Sequence, residues 1–384
     1  MSHGEERERL LRALHAAGID AVGGQQATRR ALSDFEPGSR IRLVAVGKAA
    51  SAMALGAREA LGDSILSALL ITKYDHLEPA LLDDPRFECL ESAHPVPDAA
   101  SLAAGKALVD FVEAVGDDEH LVALVSGGTS ALVEQLDGDL TLAKLQERTD
   151  ALLAGGAPIG EINRVRRGLS RLKGGRLAAR LGGCRATQFL ISDVPGDRPE
   201  DIGSGPLVSE RVETRIIASS SIAQAAVVAE AERRGLSVVQ ASASLDGEVG
   251  ATLERVSAVL LAENAAGGIY VWGGEPTVIL PAKPGRGGRN QHLALALATR
   301  IAGCDELALL VAATDGTDGP TGDAGGLVDG TTLSRARSLG LDAEVSLTNA
   351  DAGNWLEQSG ALFTTGPTGT NVMDLLIAIR GPGI

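Results

Sequence analysis

Residues able to do chemistry are concentrated in glycine-rich stretches that each follow an apolar run. In Leu43-Val44-Ala45-Val46-Gly47-Lys48-Ala49-Ala50 a lysine stands where a strand would give way to a helix. Open α/β sheets bind ligands at the carboxyl ends of their strands, and a helix starting there offers unpaired N–H groups to an anion. The stretch is not a Walker A loop, which would need glycine at Arg42 and Ser or Thr at Ala49, nor a G-x-G-x-x-G dinucleotide turn. A second candidate, Val125-Ser126-Gly127-Gly128-Thr129-Ser130-Ala131, combines paired glycines with three hydroxyls and suits a phosphate cradle. A tight turn with Ser or Thr capping the next helix would use the same residues. The third, Ile191-Ser192-Asp193-Val194-Pro195-Gly196-Asp197, delivers an aspartate just past an apolar run. A carboxylate there can accept a hydroxyl proton or bind a magnesium ion, and Asp193 is the best candidate for a base.

Two further stretches lie in the second half. Trp272-Gly273-Gly274-Glu275-Pro276-Thr277 is followed by Gly285-Arg286-Gly287-Gly288-Arg289-Asn290, and then by Thr314-Asp315-Gly316-Thr317-Asp318-Gly319-Pro320. The arginines suit a bidentate grip on carboxylate or phosphate, and the aspartates suit Mg²⁺, a hard cation that prefers oxygen. Each set alone is compatible with plain turns; their repetition after apolar runs is the signal. His94, in Ser92-Ala93-His94-Pro95-Val96-Pro97-Asp98, reads as a packing or hydrogen-bonding residue, and no nucleophile elbow of the G-x-S-x-G kind is present.

The elements that must position these residues follow from periodicity. Apolar strand-like runs at Ile41 to Val46, Ala68 to Ile71, Leu121 to Val125, Phe189 to Ile191, Ser237 to Gln240, Ile269 to Trp272 and Leu307 to Ala313 alternate with Ala/Leu-rich helical stretches. That alternation predicts a parallel α/β fold. Leu10, Leu11 and Leu14 mark one face of an opening helix, and Asp98 is placed to cap a helix over Ala99 to Val115. A chain of 384 residues is longer than one core needs, and a boundary near residue 212 divides it into domains 1–212 and 213–384.

Composition narrows the class. A net charge of −15 argues against nucleic-acid or anionic-membrane partners, so small anions must be caught by local positive groups. With aromatics at 2%, the cores must be filled by Ala, Val, Leu and Ile. Cys89, Cys184 and Cys304 are too far apart for a disulfide framework or zinc site, and no apolar run is long enough to span a membrane. A reduced cytoplasmic compartment is expected.

Taken together, Val46 to Ala49, Ser92 to Asp98, Ser126 to Ser130, Glu161-Ile162-Asn163 with Lys173-Gly174-Gly175-Arg176, Ser192 to Gly196, Gly273 to Thr277, Gly288 to Gln291 and Thr314 to Gly319 resemble the class II glycerate 2-kinases. The resemblance spans nearly the whole chain, and its C-terminal part looks like the MOFRL domain of that family. It implies an α/β fold with a Rossmann-like parallel-sheet N-terminal domain, a smaller α/β C-terminal domain and a cleft between them. It also implies phosphorylation of D-glycerate at its 2-hydroxyl by ATP with Mg²⁺, with Lys48 and Asp193 matching the family's catalytic pair. Ser126, Gly127, Gly128, Thr129 and Ser130, with Gly273, Gly274 and Glu275, would then hold the nucleotide. Arg289 and Asn290 would hold the substrate, and Asp315 and Asp318 the metal. Relatives of this kind often bear the name hydroxypyruvate reductase, so a nicotinamide-dependent reductase and a non-catalytic sugar-phosphate sensor stand as alternatives. A homo-oligomer is neither required nor excluded.

Overall fold

The computed structural model describes residues 3–35, 40–138, 140–154 and 159–381 of the chain. Two compact units form: Val22–Ser219 with Gly369–Asn371, and Met1–Ala21 with Ser220–Thr368 and Val372–Ile384. The boundary therefore falls at residue 219 rather than 212. The reason is that Val212–Ala218 is the edge strand of the first sheet. The opening helix α1 (His3–Val22) contributes most of its length to the second unit, because Leu11 and Leu14 are buried against Val227, Ile269 and Ile377. An apolar face groups with whichever core covers it, whatever its place in the sequence.

The first unit runs α2 (Gly24–Ser33), β1 (Ile41–Val46), α3 (Ala50–Leu61), β2 (Ile65–Lys73), α4 (Pro79–Leu82), β3 (Phe87–Ser92), α5 (Ala99–Glu113), β4 (His120–Val125), α6 (Thr129–Leu132), α7 (Leu142–Ala154), α8 (Ile159–Leu169), β5 (Arg185–Ile191) and β6 (Val212–Ala218). Its sheet is wholly parallel in the order β3-β2-β1-β4-β5-β6. Strand β4 is buried at every position, as expected of a central parallel strand covered on both faces. Asp98 caps α5 as predicted: its carboxylate accepts from the Ser101 N–H at 2.9 Å, while the Ser101 hydroxyl accepts from the Asp98 N–H at 3.1 Å. Ala104, Leu108 and Val112, four residues apart, then pack on Val44, Val46, Leu69 and Ile71. The strand order reverses direction between β1 and β4, which makes their carboxyl ends the topological switch point of the sheet.

The second unit continues with α9 (Ser220–Arg233), β7 (Val238–Ser244), β8 (Gly247–Glu248), α10 (Val249–Leu260), β9 (Gly268–Gly274), β10 (Pro276–Thr277), α11 (Arg289–Arg300), β11 (Leu307–Ala313), β12 (Gly325–Asp329), α12 (Thr332–Ser338), α13 (Ala343–Thr348), α14 (Ala352–Gln358), β13 (Leu362–Phe363) and β14 (Asp374–Arg380). Here the expectation of parallel strands fails. The sheet order is β13-β12-β11-β14-β9-β7, and only β7 and β9 pair in parallel. The last strand, β14, inserts between β9 and β11 and runs antiparallel to both. Side chains of β11 alternate between two cores: Leu307, Leu309 and Val311 face Leu293, Leu297 and Trp355, while Ala308, Leu310 and Ala312 face Leu11, Leu14 and Val227.

Candidate active site

Within the first unit, the switch point is tied together by the very groups the sequence marks for chemistry. Val46 and Val125 pair across β1 and β4, so the chains leave the sheet side by side. The Lys48 N–H then donates to Gly127 O at 2.9 Å, the Ser126 N–H to Val46 O at 3.0 Å, and the Ala49 N–H to Ser126 Oγ at 3.1 Å. Thr129 Oγ1 lies 2.9 Å from Val46 O and 2.7 Å from Ser126 O. Ser204 Oγ donates to Ser130 Oγ at 3.0 Å. The hydroxyls expected to cradle phosphate are thus engaged in fixing the two turns to each other.

What the turns carry is a convergence of charged side chains over Gly127 and Gly128. A Cβ built on Gly127 would fall 1.7 Å from Asp193 Oδ2, so the carboxylate lies directly against this residue. A Cβ built on Gly128, whose φ is +87°, would fall 3.0 Å from Lys48 Cγ and 3.2 Å from His94 Cδ2. Only residues without side chains let three functional groups from three loops approach one turn so closely. Lys48 comes from the end of β1 and Asp193 from the end of β5, as the sequence predicted; His94, read there as a packing residue, completes the group.

His94 lies in a positive field. Its imidazole is pulled down to about 3, first by burial and then by Lys48, Lys73 and Arg166. Lys73 ends β2, in register with Ser92 of β3, and Arg166 on α8 donates through Nη2 to Pro95 O at 3.2 Å. Burial also lowers Arg166 from the usual guanidinium range, and its Nε is buried without a hydrogen-bond partner. These three residues are not visible as a set in the sequence, since they lie on separate elements and share no spacing. Of the resembling motifs, the side chains of Glu161, Ile162 and Asn163 lie outside the described residues.

A buried ion pair supports the site from below. Lys173 and Glu134, at 2% and 0% side-chain exposure, bond to each other, and burial lowers the lysine from its ordinary value. Next to Lys173, the Gly174 N–H donates to Ser204 O at 2.9 Å and the Gly175 N–H to Gly205 O at 2.8 Å. Ser204 is thereby held at φ +64°, a conformation serine seldom adopts, with its hydroxyl on Ser130.

The second unit gathers the remaining predicted residues into another cluster. Arg289 donates through Nε to Asp374 Oδ2 at 2.6 Å and through Nη2 to Oδ1 at 3.1 Å, and its Nη1 lies 2.7 Å from Glu275 Oε1. Asp318 is buried; its Oδ1 accepts from the Asn290 N–H at 3.1 Å and its Oδ2 from the Gln291 N–H at 2.8 Å, capping α11. Burial raises both Asp318 and Asp374 to about 6, opposed in Asp374 by Arg289. Asp315 Oδ1 accepts from the N–H and hydroxyl of Thr317. Gly273 backs onto Ser220 and Gln224, and Gly274 onto Leu245 and Asp246. With the oxygens of Asp318 taken by N–H groups, this donor set does not fit a magnesium site built by the protein. Among the described residues, no cluster of three or more His, Cys, Asp or Glu could hold a metal.

Comparison with known proteins accords with this arrangement. Residues 10–235 match a domain of unknown function, DUF4147, and residues 268–374 match the MOFRL family. The D-glycerate 2-kinase of Thermotoga maritima is 36% identical over 403 aligned residues, covering 94% of this chain and 95% of its own. A crystal structure of glycerate kinase from the same organism superposes with a TM-score of 0.90 at 34% identity, covering 98% of this chain and 100% of that one. An Agrobacterium vitis protein bearing the name hydroxypyruvate reductase is 34% identical over 97% of this chain and 94% of its own. That name finds no counterpart at the β1 turn, where Gly47-Lys48-Ala49 replaces the glycine fingerprint of a dinucleotide site. On sequence, domain order and fold alike, the chain belongs to the glycerate kinase family that joins a DUF4147 domain to a MOFRL domain.

Proposed function

We propose that the protein transfers the γ-phosphoryl group of ATP, taken up as its magnesium complex, to the 2-hydroxyl of D-glycerate, releasing ADP and 2-phosphoglycerate. The observation that carries this is the meeting of Lys48 and Asp193 over Gly127-Gly128 at the switch point. Phosphoryl transfer asks little covalent chemistry of a protein and depends on positioning and charge. Asp193 accepts the proton of the 2-hydroxyl as its oxygen bonds to the γ-phosphorus. The bond to the β–γ bridging oxygen breaks, and ADP leaves with the electron pair. Lys48 offsets the charge carried by the transferring group. The turns that fix Lys48 to Gly127 keep both groups in place before substrate arrives.

Among the described residues no helix is long and apolar enough to cross a membrane, and Cys89, Cys184 and Cys304 are free thiols, which supports a reducing, cytoplasmic setting. The test is an assay of purified protein with D-glycerate, ATP and Mg²⁺, following ADP by a coupled enzyme and the product by phosphorus NMR. The expected product is 2-phosphoglycerate, distinguishable from the 3-isomer by its coupling pattern. NADH oxidation with hydroxypyruvate and no ADP would make the protein a reductase, and ligand binding without turnover would make it a sensor.

A further inference from the structure

Behind the catalytic turns the chain adopts a conformation that calls for a reason. Gly203, Ser204 and Gly205 follow one another at φ +56°, +64° and +60°, all in the left-handed region. Two of the three are glycines on visible grounds: a Cβ built on Gly203 would fall 2.7 Å from Thr129 Cβ, and one on Gly205 would fall 2.9 Å from Glu200 Cα. Glycine takes this conformation freely, whereas a residue with a side chain is strained by it. At the middle position glycine would be the easier residue, so a serine there has to be accounted for by its hydroxyl. That hydroxyl donates to Ser130 Oγ at 3.0 Å, and both residues are buried.

The surroundings hold the strained turn in place. Ser204 O, Gly205 O and Pro206 O accept from the N–H groups of Gly174, Gly175 and Ala178 at 2.9, 2.8 and 3.2 Å. Gly174 directly follows Lys173, which pairs with the buried Glu134. On the other side, Ile202 packs with Val125, Leu190 and Val194 in one apolar cluster. Val125 leads into the Ser126 to Ser130 turn, and Val194 directly follows Asp193. The short segment from Ile202 to Gly205 therefore meets the Gly127 turn at Thr129 and Ser130, and the Asp193 loop at Val194. Apolar contact is non-directional and tolerates small sliding, whereas a hydrogen bond between two buried hydroxyls sets both a distance and a direction.

We infer that Ser204 is a positioning residue for the phosphoryl transfer: through its bond to Ser130 it locks the left-handed turn to the Gly127-Gly128 turn, and so fixes that turn against Asp193. At 0% exposure it meets no substrate itself. The inference rests on the kinase reading of the site.

Ser204→Gly separates the hydroxyl from the backbone, because glycine accepts φ +64° without strain while Ser204→Ala keeps the strain and loses the same bond. Steady-state kinetics and thermal melts of full-length wild type, both variants, Ser130→Ala and the double variant Ser130→Ala/Ser204→Gly test the role, with D-glycerate and ATP varied separately. Ser204→Gly should melt within about 3 °C of wild type, since release of the strained backbone offsets the lost hydrogen bond. Its kcat should nevertheless fall roughly 10- to 100-fold, with both KM values within about threefold. Ser204→Ala should lose kcat to the same extent while melting lower. The double variant should be no slower than the slower single variant, because both changes break one bond. Full turnover in Ser204→Gly with loss only in Ser204→Ala would make the serine structural, and losses that multiply in the double variant would show that it does not act through Ser130; either overturns the inference. Should Ser204→Ala fail to fold, Ser204→Gly and the double variant still decide. A wild-type protein that makes no ADP from D-glycerate would overturn the kinase reading, and this role with it.

Discussion

Two clusters of charged residues, one in each unit, are built from similar parts and answer their charges differently. In the first, Lys48, Lys73 and Arg166 act on a single neutral imidazole beside a carboxylate. In the second, Asp374 is gripped on both oxygens by Arg289, and Asp318 accepts from two N–H groups at the start of α11. Both follow glycine-rich turns at strand ends, and by residue type alone the second is the richer. The difference teaches that a carboxylate gripped by an arginine or by the N–H groups of a helix start serves the fold, while groups gathered over a bare glycine turn at a switch point are placed for a ligand.

The comparison breaks most sharply at the catalytic pair. Lys48→Ala and Asp193→Asn should each lower kcat by about 10³-fold, roughly 4 kcal/mol of transition-state stabilisation, with little change in thermal midpoint. Near-normal turnover in either would remove that residue from the site. Arg289→Met should act in the opposite manner. Stranding Asp374, which is fully buried, should cost about 3 kcal/mol in urea unfolding. A stable variant with lost turnover would instead move Arg289 from the fold to the chemistry.

A smaller effect is expected from Gly127→Ala. The new methyl would occupy the position of Asp193 Oδ2 and displace the carboxylate, lowering kcat by roughly 100-fold while the protein still folds. Retained activity would mean that Asp193 works from another position.

Acid should pull the two clusters in opposite directions. Folded His94 titrates at about 3 against 6.5 when unfolded, so the unfolded chain binds more protons between those values. Its contribution is complete above pH 6.5 and is lost as pH falls toward 3, by at most about 1.4 kcal/mol per pH unit. Folded Asp374 titrates at about 6 against an ordinary 3.8. The folded chain then binds the extra proton, and the contribution is greatest below 3.8 and lost as pH rises through 6. Urea unfolding of wild type, His94→Gln and Asp374→Asn between pH 4 and 7 should give difference curves of opposite slope; parallel curves would contradict this picture.

Much of the first unit was legible in the sequence. The strand Ile41–Val46 there, like Leu307–Ala313 in the second unit, is located to the residue, and Asp98 is identified as a cap, because apolar periodicity and local hydrogen-bonding chemistry act over a few residues. Lys48 and Asp193 were found because each follows an apolar run directly. The strands Phe87–Ser92 and Val212–Ala218 were missed: both are edge strands, only partly buried between their ends, with polar residues among the apolar ones. The antiparallel course of the second sheet was also missed, since strand direction depends on which distant strand supplies the hydrogen bonds.

By itself, then, the sequence determined the strands, the caps, the glycine turns and the presence of one lysine and one aspartate suited to phosphoryl transfer. These are properties of short segments, fixed by side-chain periodicity and backbone freedom. Only the tertiary structure decided which charges meet. It brought His94, Lys73 and Arg166 together from three elements, paired Arg289 with Asp374 across 85 positions of chain, and turned the hydroxyls of Ser126, Thr129 and Ser130 inward. The electrostatic character of a side chain is set by its neighbours and its burial, and neither exists until the chain has folded.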